Sequence, residues 1–286
     1  MGDVTTTTEI ATTAGRFTAD VAGPASAPLV LLLHGFPQTR HTWRDVLPEL
    51  GAAGFRAVAV DQRGYSPGVR PPRFDDYSTT HLVADVLELA TALGAERFHV
   101  VGHDWGGQVA WLTAAHHAAR VTSLTALSRP HPAAFARSFA LDPEQSTRSQ
   151  HHRNMGPEMT DRWHADDSAL LRGVLQRAGV PAADIDAYLS VLGDRAALDA
   201  AMNWYRAAAT TGGLRAADTP DVTIPVCYVW GTEDQSVGRR AAELTADHVT
   251  GPFRFVEVAG AGHFLTDDTG AATTRAEIVG HVQANA

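Results

Sequence analysis

The sequence contains no lysine and only one cysteine. The first feature points to the kind of genome that encodes the chain, and the second excludes a fold held by disulfide bonds. All 23 of its Lys+Arg side chains are arginines, as is typical of a GC-rich, bacterial genome. The one thiol, Cys227, lies in the apolar run Pro-Val-Cys-Tyr-Val-Trp. No disulfide framework can form, and we expect a buried strand thiol rather than a nucleophile or a metal ligand.

Long apolar runs are also missing, so no segment approaches the length of a membrane span. The first ten residues contain neither a basic nor an apolar segment, so they do not resemble a secretory signal. The formal net charge is -9, and the arginines are scattered along the chain, which excludes a nucleic-acid partner because phosphate binding needs a basic face. We therefore expect a cytoplasmic protein with no membrane or nucleic-acid partner.

The composition is that of an ordinary globular protein, with 44% hydrophobic and 19% charged residues in 286. Continuous apolar runs, typical of buried parallel strands, alternate with helical patterns in the first half. The strands are predicted at 29–33, 57–60 and 98–101, the helices between them at 43–53 and 80–93, and an edge hairpin at 9–21. This order predicts an α/β protein with a mostly parallel, doubly wound sheet.

The alternation stops after a further predicted strand at 121–127 and resumes only with strands at 226–230 and 253–258. The stretch between is too long for a loop and has helical patterns, so we predict an inserted helical cap at 131–214. The core domain would then comprise 1–130 and 215–286. Within the cap, a helix is expected from Asp167 to Ala178. A closing helix of the core is expected from about Asp268 to Ala284.

The motif Gly-His-Asp-Trp-Gly-Gly follows the strand at 98–101 and precedes a helical pattern. It has the spacing of a nucleophile elbow, Gly-x-nucleophile-x-Gly, whose small residues permit a tight turn that lifts the central side chain above the sheet. The central residue is Asp104, which we predict to be a carboxylate nucleophile. The alternative is that Asp104 merely caps the following helix, a common role for aspartate.

Two later motifs supply partners for such a nucleophile. Trp-Gly-Thr-Glu-Asp at the end of one strand brings Asp234 to the carboxyl edge of the sheet, where it would orient a histidine; its neighbour Glu233 is interpreted as a solvated surface charge. Gly-Ala-Gly-His-Phe after the last strand delivers His263. The chain order of nucleophile, acid and histidine is the order of the α/β-hydrolase fold.

His-Gly-Phe-Pro follows the first core strand, where the backbone N–H of Phe36, paired with that of Trp105, would form an oxyanion hole. None of the 14 histidines forms a convincing metal-ligand spacing, so we predict neither a metal nor a cofactor.

Taken together, these motifs resemble the epoxide hydrolase and haloalkane dehalogenase branch of the α/β-hydrolase fold over nearly the whole chain. The four segments that carry the resemblance are His34–Pro37, Asp61–Tyr65, His103–Gly107 and Asn203–Arg206. In epoxide hydrolases two cap tyrosines hydrogen-bond the epoxide oxygen. The resemblance implies that Tyr205 is one of them, with Trp204 beside it in the substrate site.

The second cap tyrosine has no counterpart in the predicted helix from Asp142 to His152. His151 is the candidate for its position, with His152 next to it. Replacing a phenol by an imidazole would change the acid from a pKa of about 10 to about 6.5. The alternative is that both histidines are ordinary polar residues of a cap helix.

The resemblance implies hydrolysis of a small, apolar epoxide to a vicinal diol through an alkyl ester on Asp104, and a homodimer is compatible with it. Haloalkane or haloacid dehalogenases that use the same aspartate are the rival enzymes. A serine esterase is disfavoured because no hydroxyl occupies the elbow. A non-catalytic binding protein is disfavoured because it would not need all of Asp104, Asp234 and His263.

Overall fold

The computed structural model describes residues 5–150, 155–210 and 213–286. In these ranges one sheet contains eight strands: β1 (Thr6–Thr12), β2 (Gly15–Ala22), β3 (Leu29–Leu33), β4 (Arg56–Val60), β5 (Phe98–His103), β6 (Val121–Leu127), β7 (Val226–Gly231) and β8 (Phe253–Val258). Their spatial order is β1-β2-β4-β3-β5-β6-β7-β8. The first three strands in this order pair antiparallel, and all the others pair parallel. The predicted doubly wound α/β fold is confirmed.

Ten helices surround or cover this sheet in the described residues: α1 (Val46–Ala52), α2 (Thr79–Ala92), α3 (Trp105–His116), α4 (Pro132–Leu141), α5 (Pro143–Arg148), α6 (Pro157–Arg177), α7 (Ala182–Leu192), α8 (Arg195–Ala208), α9 (Arg239–Leu244) and α10 (Ala271–Ala284). The central strand β3 is apolar throughout because helices cover both of its faces. Leu31 belongs to the core under α2 and α3, whereas Leu32 belongs to the core under α1 and α10.

In the described residues, helices α4 to α8 form a helical insertion between β6 and β7. Their inner sides join the same core as α2 and α3, through side chains such as Leu171 and Leu198. A third, smaller core joins Leu175 and Tyr188 of the insertion to Phe264 of the sheet edge. The insertion therefore rests on the carboxyl edge of the parallel strands. The division of the chain into two domains at residues 131 and 214 stays a prediction.

Helix α6 differs from the sequence expectation, which placed its start at Asp167. The helix begins at Pro157 and contains a kink, in which Asp166, Asp167 and Ser168 all have φ between 51° and 58°. Residues with a Cβ are disfavoured in this left-handed region, so the sequence gives no reason to expect a helix that continues across it. The half of α6 before the kink was therefore not predicted. The short helix α9 was not predicted either.

Cys227 is the second residue of β7 and is fully buried, as expected. Burial raises the pKa of its thiol to about 12. Among the described residues, no helix has both the length and the apolarity needed to cross a membrane.

Candidate active site

Asp104 sits at the turn between β5 and α3 with φ 49° and ψ −115°, a backbone conformation that few residues with a side chain adopt. Close packing requires the glycines on either side. A Cβ on Gly102 would lie 2.3 Å from the Gly106 carbonyl oxygen, and a Cβ on Gly106 would lie 2.1 Å from that of Leu33. The Asp104 carboxylate makes no capping hydrogen bond to α3. This geometry therefore does not support the alternative that Asp104 merely caps α3.

The loops after β7 and β8 bring Asp234 and His263 to the same place. His263 Nδ1 lies 3.2 Å from each carboxylate oxygen of Asp234, and His263 Nε2 lies 3.7 Å from Asp104 Oδ2. Asp234 is held in turn by the backbone N–H groups of Ser236 (2.7 Å) and Val237 (2.9 Å). The imidazole thus stands between two carboxylates, one on each ring nitrogen.

Ser128 is a member of this cluster that the sequence analysis did not single out. It follows β6 with φ 57°, and its hydroxyl donates to Asp234 Oδ2 and lies 2.8 Å from His263 Nδ1. The only signal in the sequence is its position, since it directly follows a parallel strand whose carboxyl end faces the site.

Burial and neighbouring charges shift the pKa values of His263 and Asp104 in opposite directions. Burial disfavours the charged form of His263, but the carboxylates of Asp234 and Asp104 outweigh it and raise the pKa of the ring to about 10. Burial also disfavours an ionised Asp104, yet the hydrogen bond and charge of His263 hold the pKa of that carboxyl well below its ordinary range. At neutral pH the pair is therefore an imidazolium beside a carboxylate.

His103, inside the elbow motif, connects the nucleophile turn to the loop of His263. Its Nε2–H donates to the backbone oxygen of His263 (2.8 Å), and its Nδ1 lies 2.7 Å from Gln38 Oε1. Gln38 Nε2–H donates to Asp267 on the far side of the same loop (2.7 Å). These contacts hold the loop of His263 in a fixed position relative to the nucleophile turn.

Both predicted oxyanion-hole residues lie beside Asp104. The backbone N–H of Phe36 donates to Asp104 Oδ1 (3.1 Å), and Gly35 permits this approach because a Cβ there would lie 2.5 Å from the Asp104 Cβ. Trp105 is the first residue of α3, where backbone N–H groups have no acceptor within the helix. The Phe36 N–H therefore contacts the carboxyl group, and the Trp105 N–H, with no acceptor inside α3, belongs to the residue that follows the nucleophile.

Tyr205, on α8, faces the carboxylate from the insertion. Its ring packs edge-on against Trp105 and Phe36, with centroids 5.1 and 5.6 Å apart, and its hydroxyl is hydrogen-bonded to the side chain of Trp105. An indole N–H can only donate, so the phenol oxygen accepts this bond and keeps its own proton. Burial raises the pKa of Tyr205 well above 10, which keeps the phenol protonated at neutral pH.

A cavity of about 620 Å³ opens between the sheet edge and the insertion, and Asp104, His263 and Tyr205 all line it. Its walls include Trp163 of α6, which stacks on Phe36 at 5.5 Å and was not foreseen because it precedes the kink. Arg177 and Glu233 also line it, Glu233 as an exposed residue. The cavity is large enough for a drug-sized ligand.

Of the other predicted substrate residues, Trp204 is described, and it is not brought to this cavity. The Trp204 indole N–H donates to the backbone oxygen of Arg63 (2.9 Å), and the ring is buried behind Trp105, so it packs in the core instead of lining the cavity. His151 and His152 lie outside the described residues, and their role stays a prediction. Within the described part of the chain, no three His, Cys, Asp or Glu side chains are grouped for metal binding.

Comparison with known proteins gives this geometry a family context. The family model for the alpha/beta hydrolase fold matches residues 28–268. The chain is 33% identical to epoxide hydrolase A of Mycobacterium tuberculosis over 86% of this chain and 88% of that protein. It is 31% identical to epoxide hydrolase 4 of Mus musculus over 88% of this chain and 72% of that protein.

A solved structure of epoxide hydrolases from metagenomes of hot environments is also similar. The two chains are 26% identical and superpose with a TM-score of 0.79, over 98% of this chain and 99% of the other. Sequence and backbone similarity therefore agree over the whole length that contains the site.

Proposed function

The chain belongs to the α/β-hydrolase fold family, in its epoxide hydrolase branch, and we propose that it opens an epoxide to a vicinal diol through a covalent alkyl ester on Asp104. The insertion acts as the cap over the site. One observation carries the proposal. The ionised carboxylate of Asp104, at the nucleophile elbow, and the protonated phenol of Tyr205 line the same cavity.

In the first step Asp104 attacks one ring carbon in line with the strained C–O bond, which breaks as the ester bond forms. The developing alkoxide takes a proton from the phenol of Tyr205. The hydrogen bond that Tyr205 accepts from Trp105 supports this role because it stabilises the phenolate left behind. One hydroxyl of the diol is now in place.

Ester formation removes the negative charge of Asp104, which is one of the two charges that hold the proton on His263. The imidazolium therefore becomes more acidic and can return a proton to the Tyr205 phenolate through solvent. This transfer restores the phenol and leaves His263 neutral, the form that a general base requires.

In the second step neutral His263, oriented by Asp234, takes a proton from water, and the resulting hydroxide attacks the carbonyl carbon of the ester. The N–H groups of Phe36 and Trp105 stabilise the oxyanion of the tetrahedral intermediate. Its collapse releases the diol oxygen, protonated by His263, and the new carboxylic acid returns its proton to the ring. The resting ion pair of Asp104 and His263 is restored.

Substitution of the nucleophile tests the proposal. Asp104→Asn should lower turnover of aryl and alkyl epoxides by about 10³-fold or more while leaving the melting temperature near that of the wild type. In His263→Gln the second step should be the slower one, so intact-protein mass spectrometry should show the mass of the epoxide added to Asp104. Near-normal turnover by folded Asp104→Asn would refute the mechanism.

The rival dehalogenase reaction needs a donor for the departing halide. The Trp105 indole, the obvious donor next to Asp104, is instead bonded to Tyr205, which favours the epoxide reaction. We expect diol from at least one epoxide and little halide from haloalkanes or fluoroacetate under the same conditions. Fast halide release without diol formation would reverse this ranking.

A further inference from the structure

A second cavity lies on the other side of Trp105, between α3, α4 and the chain that follows α8, and the proposed reaction makes no use of it. Its volume is about 600 Å³, close to that of the active-site cavity. Trp105 lines it, and the Trp105 ring packs against Tyr205, which lines the first cavity. The two cavities therefore share a wall made by these two aromatic side chains.

The charges that line the second cavity are positive. Arg129 and Arg215 are both in its wall, and none of the described residues that line it is acidic. The active-site cavity is lined by charged residues of both signs: Asp104, Glu233 and Asp268 beside Arg177 and His263. Arg215 is exposed and pairs with Asp218, so Arg129 is the cation in the wall of the second cavity that has no ion-pair partner among the described residues. We refer to the second cavity as the arginine cavity.

Arg129 is held in a fixed position in this wall. Its Cβ lies 2.8 Å from where a Cβ on Gly107 would stand, so the last glycine of the elbow motif makes room for it. Its Nε–H donates to Gln108 Oε1 (2.9 Å), and its guanidinium carbon lies 4.3 Å from the centre of the Phe135 ring. A guanidinium fixed by stacking and by its Nε is preorganised for a planar anion.

The two terminal nitrogens of Arg129 have no acceptor among the described residues, and neither nitrogen is fully buried. No carboxylate of the described chain lies within ion-pair distance of it. Burial lowers the pKa of the guanidinium, and the more distant charge of Asp104 offsets this shift only in part. A cation that is partly withdrawn from water without a directly paired carboxylate is costly, and an anion that enters the cavity would lower that cost.

We infer that the arginine cavity binds an organic carboxylate, with its two oxygens on the Arg129 guanidinium and its apolar body against the alanines and Leu214 of the wall. A carboxylate matches the two parallel N–H donors of a guanidinium, and the apolar wall disfavours a small inorganic anion. The ligand is either a free carboxylate or the acid group of an epoxide substrate. Only the second source rests on the proposed function.

Calorimetric titration with octanoate and with its neutral analogue octanamide tests the site without any turnover. Octanoate should bind the wild type, and octanamide should bind about tenfold more weakly or worse because it lacks the charge. Arg129→Gln should weaken octanoate binding by about tenfold or more. Arg177→Gln removes the same charge from the active-site cavity instead and should leave octanoate binding unchanged.

Ala136→Phe is the second variant, since it fills the arginine cavity from α4 without altering Arg129. It should also weaken octanoate binding, and it decides the question if Arg129→Gln does not fold. Equal binding of octanoate and octanamide, or unchanged binding in both cavity variants, would overturn the inference. These measurements stand even if no epoxide is turned over.

Kinetics then distinguish the two sources of the carboxylate. If the carboxylate belongs to the substrate, a terminal epoxide with a distal carboxylate should have a lower KM than its carboxamide, and Arg129→Gln should abolish the difference. If the carboxylate is a free ligand, the two epoxides should have equal KM values, and saturating octanoate should not compete with styrene oxide. Either result supports the site, provided that octanoate binding depends on Arg129.

Discussion

His263 carries its proton because two carboxylates face it. The resulting ion pairs stabilise the folded state and also take part in the proposed reaction. Its pKa rises from the ordinary value of 6.5 to about 10 in the folded chain. The folded state therefore binds this proton more tightly than the unfolded state does. The resulting stabilisation is complete below pH 6.5 and is lost as the pH rises through about 10.

We therefore predict that the wild type is more stable than His263→Gln at pH 6 and that this advantage shrinks as the pH is raised to 10.5. Removal of the imidazolium leaves Asp104 and Asp234 as two buried carboxylates without their cation, which is the physical reason for the difference at low pH. Melting temperatures of both proteins across this pH series are the measurement. A difference that stays constant or widens toward pH 10.5 would contradict the prediction.

Tyr205 should act in the first chemical step alone, because only ring opening generates an alkoxide. Tyr205→Phe is expected to slow ester formation by about 10²–10⁴-fold and to leave hydrolysis of a preformed ester unchanged. Rapid-quench single-turnover experiments separate the two steps.

The matched control for this variant is Tyr77→Phe, which removes a hydroxyl that donates to the Pro71 carbonyl oxygen and does not line the active-site cavity. It should leave both steps near their wild-type rates. If Tyr205→Phe and Tyr77→Phe behave alike, Tyr205 packs the cap and donates no proton.

Among the elements, those that the sequence predicted best are the strands, since their apolar runs are bounded by glycine and polar motifs. The strands at 29–33, 121–127 and 253–258 match the structure to the residue. Because parallel strands end at one edge of the sheet, the positions of Asp104, Asp234 and His263 after three strands were enough to predict that they meet. The structure brings them together as described.

The helical insertion was harder to predict because its geometry depends on packing between its own helices. The kink in α6 places Trp163 over Phe36, and no periodicity in the sequence indicates a left-handed turn inside a helix. The motif around Trp204 pointed to the substrate site, but in a helix successive side chains point in different directions. Tyr205 faces the cavity and Trp204 faces the core.

The kink itself is testable, because Asp167 has φ 54° in its centre. Asp167→Gly should raise the stability by about 0.5–1 kcal/mol, since glycine adopts this conformation without a steric cost. The same substitution at Arg162, in the regular part of α6, should lower the stability by about 1 kcal/mol. Chemical denaturation of both variants measures the two changes, and a loss of stability in Asp167→Gly would mean that α6 runs straight through this position.

On the scale of the whole molecule, the charged residues are divided unequally between two cavities that meet at Trp105 and Tyr205. The cavity that contains the nucleophile has acidic residues beside Arg177 in its wall, whereas the charged residues that line the other are arginines. The sequence did not indicate this division, since Arg129 follows β6 whereas Arg215 follows the insertion. Only the folded chain brings both to one space.

The position of Cys227 gives the chain a single chemical reporter of unfolding. The thiol is enclosed in β7, and alkylating and disulfide reagents react with the thiolate, which is almost absent at neutral pH when the pKa is about 12. We predict that native protein reacts with such reagents at least about 10³-fold more slowly than protein in denaturant. Pulsed labelling followed by mass spectrometry would measure the difference.

Since β7 is paired on both sides, the thiol is exposed only when the sheet itself opens, and the labelling rate then follows the opening of the core. Opening of the cap alone should leave the thiol unlabelled. A ligand that merely holds the cap closed would therefore not change the labelling rate, whereas one that stabilises the whole fold would slow it. One thiol in 286 residues thus lets a single mass shift distinguish cap movement from unfolding.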